Sequence, residues 1–135
     1  MAYRTDEIEG IGPTSREKLA DAGVKTTDDL LERCGGPSGR KVLAEATGIS
    51  GKLILNWTNK ADLMRVSGIG PQYSELLEAS GVDTVKELRT RNAGNLAEKM
   101  LTVNAEKKLA RKAPTESELQ GWIDTAKTME PGVTY

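Results

Sequence analysis

The chain has 135 residues, enough for one domain with a real hydrophobic core. Its 19 basic and 20 acidic side chains balance, so the charge excess of a dedicated nucleic-acid binder is missing and any phosphate contact must come from local clustering. With no His, no Phe and a single Cys, an internal disulfide, the usual zinc site and the Ser-His or Cys-His nucleophile pairs are excluded, and the Leu, Ile, Val and Ala content suits an all-α protein rather than a β-sandwich.

Residues 1–9 hold at most a short lead-in helix, anchored by Tyr3 and Ile8. Gly10-Ile11-Gly12-Pro13 then reads as a tight reversal. Glycine reaches the positive φ that such a turn needs, Ile11 points inward, and proline suits the first position of the next helix, where its missing N–H costs nothing. That helix is expected over 13–22, with Leu19 and Ala22 inward and Gly23 as its left-handed cap. Thr26 caps a short helix carrying Leu30 and Leu31, with Asp29 three residues on. Cys34-Gly35-Gly36-Pro37-Ser38-Gly39 breaks it.

A further short helix is expected over 40–46, stopped by Gly48. Ser50 caps the next, and Ile49 and Ile54 have the spacing of a hydrophobic staple. This helix runs from 51 to about 66 with Leu53, Ile54, Trp57, Ala61 and Met64 along one side, and it joins the two halves. It leads into Gly68-Ile69-Gly70-Pro71, a helix over 71–80 ended by Gly81, and a cap at Thr84 with Glu87 at the capping-box position. Asn92-Ala93-Gly94-Asn95 is read as a break, followed by a helix over 96–102 and a second, capped by Asn104, over 105–112. Thr115 and Glu118 form a capping box for a last helix to about Met129, and residues 131–135 are expected to be a loose tail.

The repeat is the strongest architectural signal. At an offset of 58, eleven positions between 8 and 33 are identical, among them Gly10/Gly68, Ile11/Ile69, Gly12/Gly70, Pro13/Pro71, Leu19/Leu77, Gly23/Gly81 and Thr26/Thr84. Trp57 and Trp122 also fall in matching places, which assigns them a repeated core role ahead of base stacking. A single domain over 1–130 is expected, made of two repeats at about 6–64 and 66–129. The duplication serves either to present both turns together or simply to enlarge a shared core.

Ile8-Glu9-Gly10-Ile11-Gly12-Pro13 with Leu19 to Val24, and Val66-Ser67-Gly68-Ile69-Gly70-Pro71 with Leu77 to Val82, each resemble the helix-hairpin-helix motif. The whole chain resembles a bacterial family of tandem helix-hairpin-helix proteins classed as a domain of unknown function. The resemblance implies a pseudo-two-fold, all-α bundle and sequence-independent contact with the backbone of duplex DNA, in which turn amides and the helix dipole meet a phosphate. The residues assigned to that contact are Gly10, Ile11, Gly12, Thr14 and Arg16 in the first copy and Gly68, Ile69, Gly70 and Gln72 in the second. DNA-binding versions often carry Lys or Arg just after the second glycine. Thr14 and Gln72 stand there in this chain, and Ser74 stands where the first copy has Arg16. The competing reading is a protein-interaction adaptor whose turns are purely structural.

Lys107, Lys108, Arg111 and Lys112 share one face if 105–112 is helical. That face either tracks phosphates or is a solvated surface favoured by the helix dipole. Tyr73, two residues past Pro71, either flanks a ligand or covers the turn. Cys34 reads as a small, semi-buried side chain, since no His is present to activate it. Asp6-Glu7 and Asp28-Asp29 read as helix-dipole partners rather than acid–base pairs. The sequence thus points to a non-enzymatic protein without cofactor or metal. It has no legible signal peptide and no membrane-spanning run, which suggests a cytoplasmic location.

Overall fold

Both Gly-Ile-Gly segments adopt the same local structure in the computed structural model, which describes residues 2–135. Gly10 and Gly68 each have φ +98°, a conformation that disfavours any residue with a Cβ. Ile11 N–H donates to the carbonyl of Ile8 at 3.1 Å, and Ile69 N–H to that of Val66 at 3.0 Å. Both isoleucines are buried. The chain then enters α1 (Pro13–Asp21) or α5 (Pro71–Ala79), with proline opening each helix. Each helix closes on a glycine of positive φ, Gly23 or Gly81, and the next residue's amide returns to the carbonyl of Leu19 or Leu77. Arg33 donates to the Ala22 carbonyl and its counterpart Arg91 to that of Gly81, satisfying backbone oxygens left over at the helix ends.

Thr26 then caps α2 (Thr27–Cys34) through a reciprocal pair with Asp29. Thr84 caps α6 (Val85–Leu88), but Glu87 turns away to pair with Arg91. The helix α3 (Pro37–Thr47) starts three residues earlier than expected. Pro37 opens it, and Gly39 lies within the helix because a Cβ there would overlap the Arg33 carbonyl. Ser50 caps α4 (Gly51–Leu63), which stops at Leu63 rather than near 66. Ile54, Trp57, Ala61 and Met64 are buried as expected, whereas Leu53 is 49% exposed and lies outside the stripe.

The largest departure concerns residues 92–114. Asn92 is an N-cap rather than part of a break: its side chain accepts from Asn95 N–H, and α7 (Ala93–Lys107) runs unbroken from there. Asn104 caps nothing. From the last turn of α7 its amide clamps Ala110, accepting from its N–H at 2.9 Å and donating to its carbonyl at 3.0 Å. Lys108 sits at φ +53°, so the chain leaves the helix there and 108–114 is irregular. The last helix, α8 (Glu116–Lys127), has the expected Thr115–Glu118 capping box.

All regular structure among the described residues is helical, apart from one antiparallel bridge pair between Arg4 and Thr26. No helix among them is long and apolar enough to cross a membrane. The buried side chains form two clusters. One gathers Ile8, Leu19, Leu30, Leu43, Ile54 and Trp57, and the other Leu63, Ile69, Leu76, Leu88, Met100 and Trp122. They meet along α4, whose earlier residues serve the first cluster and whose last residue, Leu63, serves the second. Each Trp packs behind the turn of its own half: Trp57 Nε1 is 3.4 Å from where a Cβ on Gly10 would lie, and Trp122 Nε1 is 2.8 Å from that of Gly68.

Polar groups fasten the seam. Lys60, nearly buried on α4, donates to the Glu9 carbonyl at 3.3 Å and pairs with Glu75 and Glu78 of α5. Asn56 donates to Glu78 at 3.0 Å. Asp62, 1% exposed, accepts from the Val85 amide at 2.9 Å and pairs with Arg65. Residues 131–135, expected to be loose, are docked against the first half instead: Val133 is buried and Thr134 N–H donates to the Gly35 carbonyl.

Candidate nucleic-acid interface

The second glycine of each turn differs from the first. Gly12 (φ −88°, ψ −176°) and Gly70 (φ −100°, ψ −166°) are extended N-caps that any residue can adopt. A Cβ on Gly12 would meet nothing within 4 Å, and one on Gly70 would meet only the Tyr3 hydroxyl at 3.6 Å. Neither backbone conformation nor packing therefore requires glycine at these two places. What its absence of side chain provides is access to the helix start. The first intrahelical bonds run from Arg16 N–H to Gly12 O and from Ser74 N–H to Gly70 O, each 2.9 Å. The amides of Thr14 and Ser15, and of Gln72 and Tyr73, come before those bonds and have no helical acceptor. They lie at the positive end of the helix dipole, where an anion is favoured.

The surroundings of the two turns differ. Alongside α1, Arg4, Arg16 and Lys25 line a cavity of about 320 Å³ with Thr5, Ala20 and Thr26, and the Gly10–Gly12 turn does not line it. Asp6 offsets part of that charge, lying 3.2 Å from Arg4 and 3.8 Å from Arg16. Arg4 and Lys25 were not legible as site residues. They are far apart in sequence, and the Arg4–Thr26 bridge brings them together.

Beside the second turn, Tyr3, Gly68, Gly70, Pro71, Gln72 and Tyr73 line an open cleft of about 550 Å³. Tyr73 both borders the cleft and covers the turn, its ring 5.2 Å from that of Trp122 at 55°. Burial, then the nearby Glu118, pushes its phenol above the ordinary value. Glu7, Glu9, Gln72, Glu75 and Lys108 share a neighbouring cavity of about 270 Å³, so the approach to the first turn adjoins the start of α5. With Lys60 paired to Glu75, three carboxylates there face two ammonium groups.

The basic stretch does not form the expected face. Lys107 ends α7, Lys108 turns into the loop, and Arg111 and Lys112 are exposed on irregular backbone. Of the four, Lys108 alone lines a cavity next to a turn. Lys112 acts electrostatically on Glu118, although the bond from the Thr115 amide is the larger cause of that carboxyl's lowered pKa. Cys34 is fully buried, and burial pushes its thiol up against the pull of Arg33 and Arg40. Asp29 spends its carboxylate on the amides of Lys25 and Thr26.

A family model described as a domain of unknown function, DUF4332, matches residues 9–129. No curated protein and no solved structure matches the chain. The chain belongs to the DUF4332 family.

Proposed function

We propose that this DUF4332 member is a cytoplasmic, non-enzymatic, tandem helix-hairpin-helix protein that holds duplex DNA by its phosphate backbone without regard to sequence. The observation that carries the reading is the pair of N-cap glycines. Gly12 and Gly70 have no conformational or packing need to be glycine, and each leaves a helix start open to an anion. One phosphate would meet each turn, with Arg4, Arg16 and Lys25 adding charge alongside α1. Two phosphate contacts and two or three cations correspond to the non-specific range, a Kd of roughly 10⁻⁴ to 10⁻⁶ M, with a log–log salt slope of about −2 to −3.

The test is fluorescence anisotropy on a labelled random-sequence duplex at low and then moderate salt, using wild type and the double variant Gly12→Asp, Gly70→Asp. Aspartate is a good N-cap, so the variant keeps its fold while its carboxylates take the amides and repel phosphate. Loss of binding in the variant supports the reading. Wild type that fails to bind at low salt, or a variant that binds as well as wild type, sinks it.

One observation favours a second reading. Glu7 and Glu9 line a cavity at the start of α5 where, of its three carboxylates, only Glu75 pairs with Lys60, and the remaining negative balance suits a protein partner better than a phosphate. In that adaptor the turns are structural, and the wild type shows no affinity for DNA at any salt.

A further inference from the structure

The C-terminal segment passes back over the first half as irregular backbone with a bend at Gly132. The Glu130 carbonyl accepts from Arg65 Nη2 at 2.9 Å, and Gly132 N–H donates to Asp62 Oδ1 at 3.2 Å. Thr134 donates its N–H to the Gly35 carbonyl and accepts at its own carbonyl from Arg40 Nη2, both at 2.7 Å. The bonded main-chain groups thus fall on alternate residues. The residues between them supply side chains. Val133 is 5% exposed, whereas Tyr135 is 69% exposed, its ring centroid 5.9 Å from the Arg40 guanidinium carbon and its hydroxyl donating to Asn59. Main-chain bonding at alternate positions is a feature the segment shares with peptides held by strand addition, although here three of the four main-chain partners are side chains.

The two surfaces are shaped for each other. A Cβ on Gly35 would lie 2.7 Å from the Gly132 carbonyl oxygen. A Cβ on Gly132 would lie 2.5 Å from Asp62 Oδ1 and 2.7 Å from Arg65 Nη1. With the segment in place the groove's polar groups are buried, with Asp62 at 1%, Arg40 at 8% and Asn59 at 8% exposure. Vacating it would take the Gly132 amide from Asp62, the Thr134 carbonyl from Arg40 and the Tyr135 hydroxyl from Asn59, while Asp62 keeps Arg65 and the Val85 amide and Arg40 keeps the Cys34 and Gly35 carbonyls.

We propose that the groove formed by Gly35, Arg40, Asn59, Asp62 and Arg65 is a recognition site for a Pro-Gly-apolar-Thr peptide, filled in the single chain by residues 130–135 and, when that segment is displaced, by the same segment of a second copy. The segment lies just past the family match, which ends at residue 129. The groove lies within the match, but none of its five residues belongs to the Gly-Ile-Gly turns, so the site does not rest on the DNA reading.

The probe is a fluorescein-labelled peptide of residues 129–135, titrated by anisotropy into the full wild-type chain and into the full Gly132→Val chain, whose own segment no longer fits. A short tether holds the native segment at an effective concentration in the millimolar range. For a peptide Kd of about 100 μM, wild type then binds roughly tenfold more weakly than the variant. The expected result is saturable binding to the Gly132→Val chain, binding about tenfold weaker to wild type, and none with a peptide carrying the same Gly→Val change. Three results overturn the proposal: no binding to the folded variant, equal affinity for both chains, or undiminished binding of the altered peptide. Should the Gly132→Val chain lose its helical circular dichroism, Thr134→Pro, which deletes the N–H that meets Gly35, replaces it under the same criteria.

Discussion

Changing Gly68 to Ala should cost the protein far more than changing Gly12, although both glycines belong to the repeated Gly-Ile-Gly pattern. Gly68 sits at φ +98°, and holding an L-residue in left-handed backbone costs about 1–2 kcal/mol. The new Cβ would also lie 2.8 Å from Trp122 Nε1. Trp122 is 7% exposed and packed against Tyr73, so it cannot retreat freely, and overpacking of this kind adds about 1–3 kcal/mol. Together these give about 2–5 kcal/mol for Gly68→Ala. Gly10→Ala shares the backbone strain, but its Cβ meets Trp57 Nε1 at 3.4 Å, a contact that a small adjustment relieves, so it should cost about 1–2 kcal/mol. Gly12→Ala meets nothing and needs no unusual backbone, and gives up only the N-cap preference for glycine over alanine, about 0.5–1 kcal/mol. Urea unfolding of all three, followed by far-UV circular dichroism with a common m-value, gives the order directly. If Gly68→Ala costs no more than Gly12→Ala, the turn geometry is wrong. If it costs no more than Gly10→Ala, the indole behind the turn is not the obstacle described.

Asp62→Ala should destabilise by about 3–5 kcal/mol, because it strands the Arg65 guanidinium and removes acceptors from the Val85 and Gly132 amides; Asp62→Asn, which keeps a carbonyl oxygen, should cost less in the same urea assay. The caps give a pH signature. Bonds from the Lys25 and Thr115 amides are the largest causes that lower the folded pKa values of Asp29 and Glu118 below 3.8 and 4.5. Their contribution is therefore present above those unfolded values and is lost as pH falls through the lower folded ones. Asp29→Asn with Glu118→Gln should flatten the decline of unfolding free energy in that acidic window, and an unchanged slope would show that the two caps carry none of it.

Local chemistry made much of this chain readable. Positive-φ glycines, N1 prolines and the Thr26, Ser50, Thr84 and Thr115 caps act over three or four residues, so their pattern in the sequence specifies the elements they bound. The failures involve residues whose local options are degenerate. Asparagine serves equally as an N-cap or as a clamp on a loop, so Asn104 signalled a new helix where the fold uses it to end one. That choice moved Lys107, Lys108, Arg111 and Lys112 off a common face.

What the sequence alone determined is the all-helical class, the two copies of the turn and the capped helix ends, because each depends on neighbours within one or two turns of chain. What only the tertiary structure decided depends on partners tens of residues away. Arg4 joins Lys25 and Arg16 at one cavity through the bridge to Thr26, and the carboxylates of Glu7, Glu9 and Glu75 gather beside the start of α5. Asp62, on an apolar stretch of α4, is buried because it accepts from amides 23 and 70 residues further on. Residues 131–135 begin with the Pro-Gly pair of a chain break, and they are held by a groove assembled from α3, α4 and the loop at Gly35. Such contacts have no period along the chain, so no local pattern announces them.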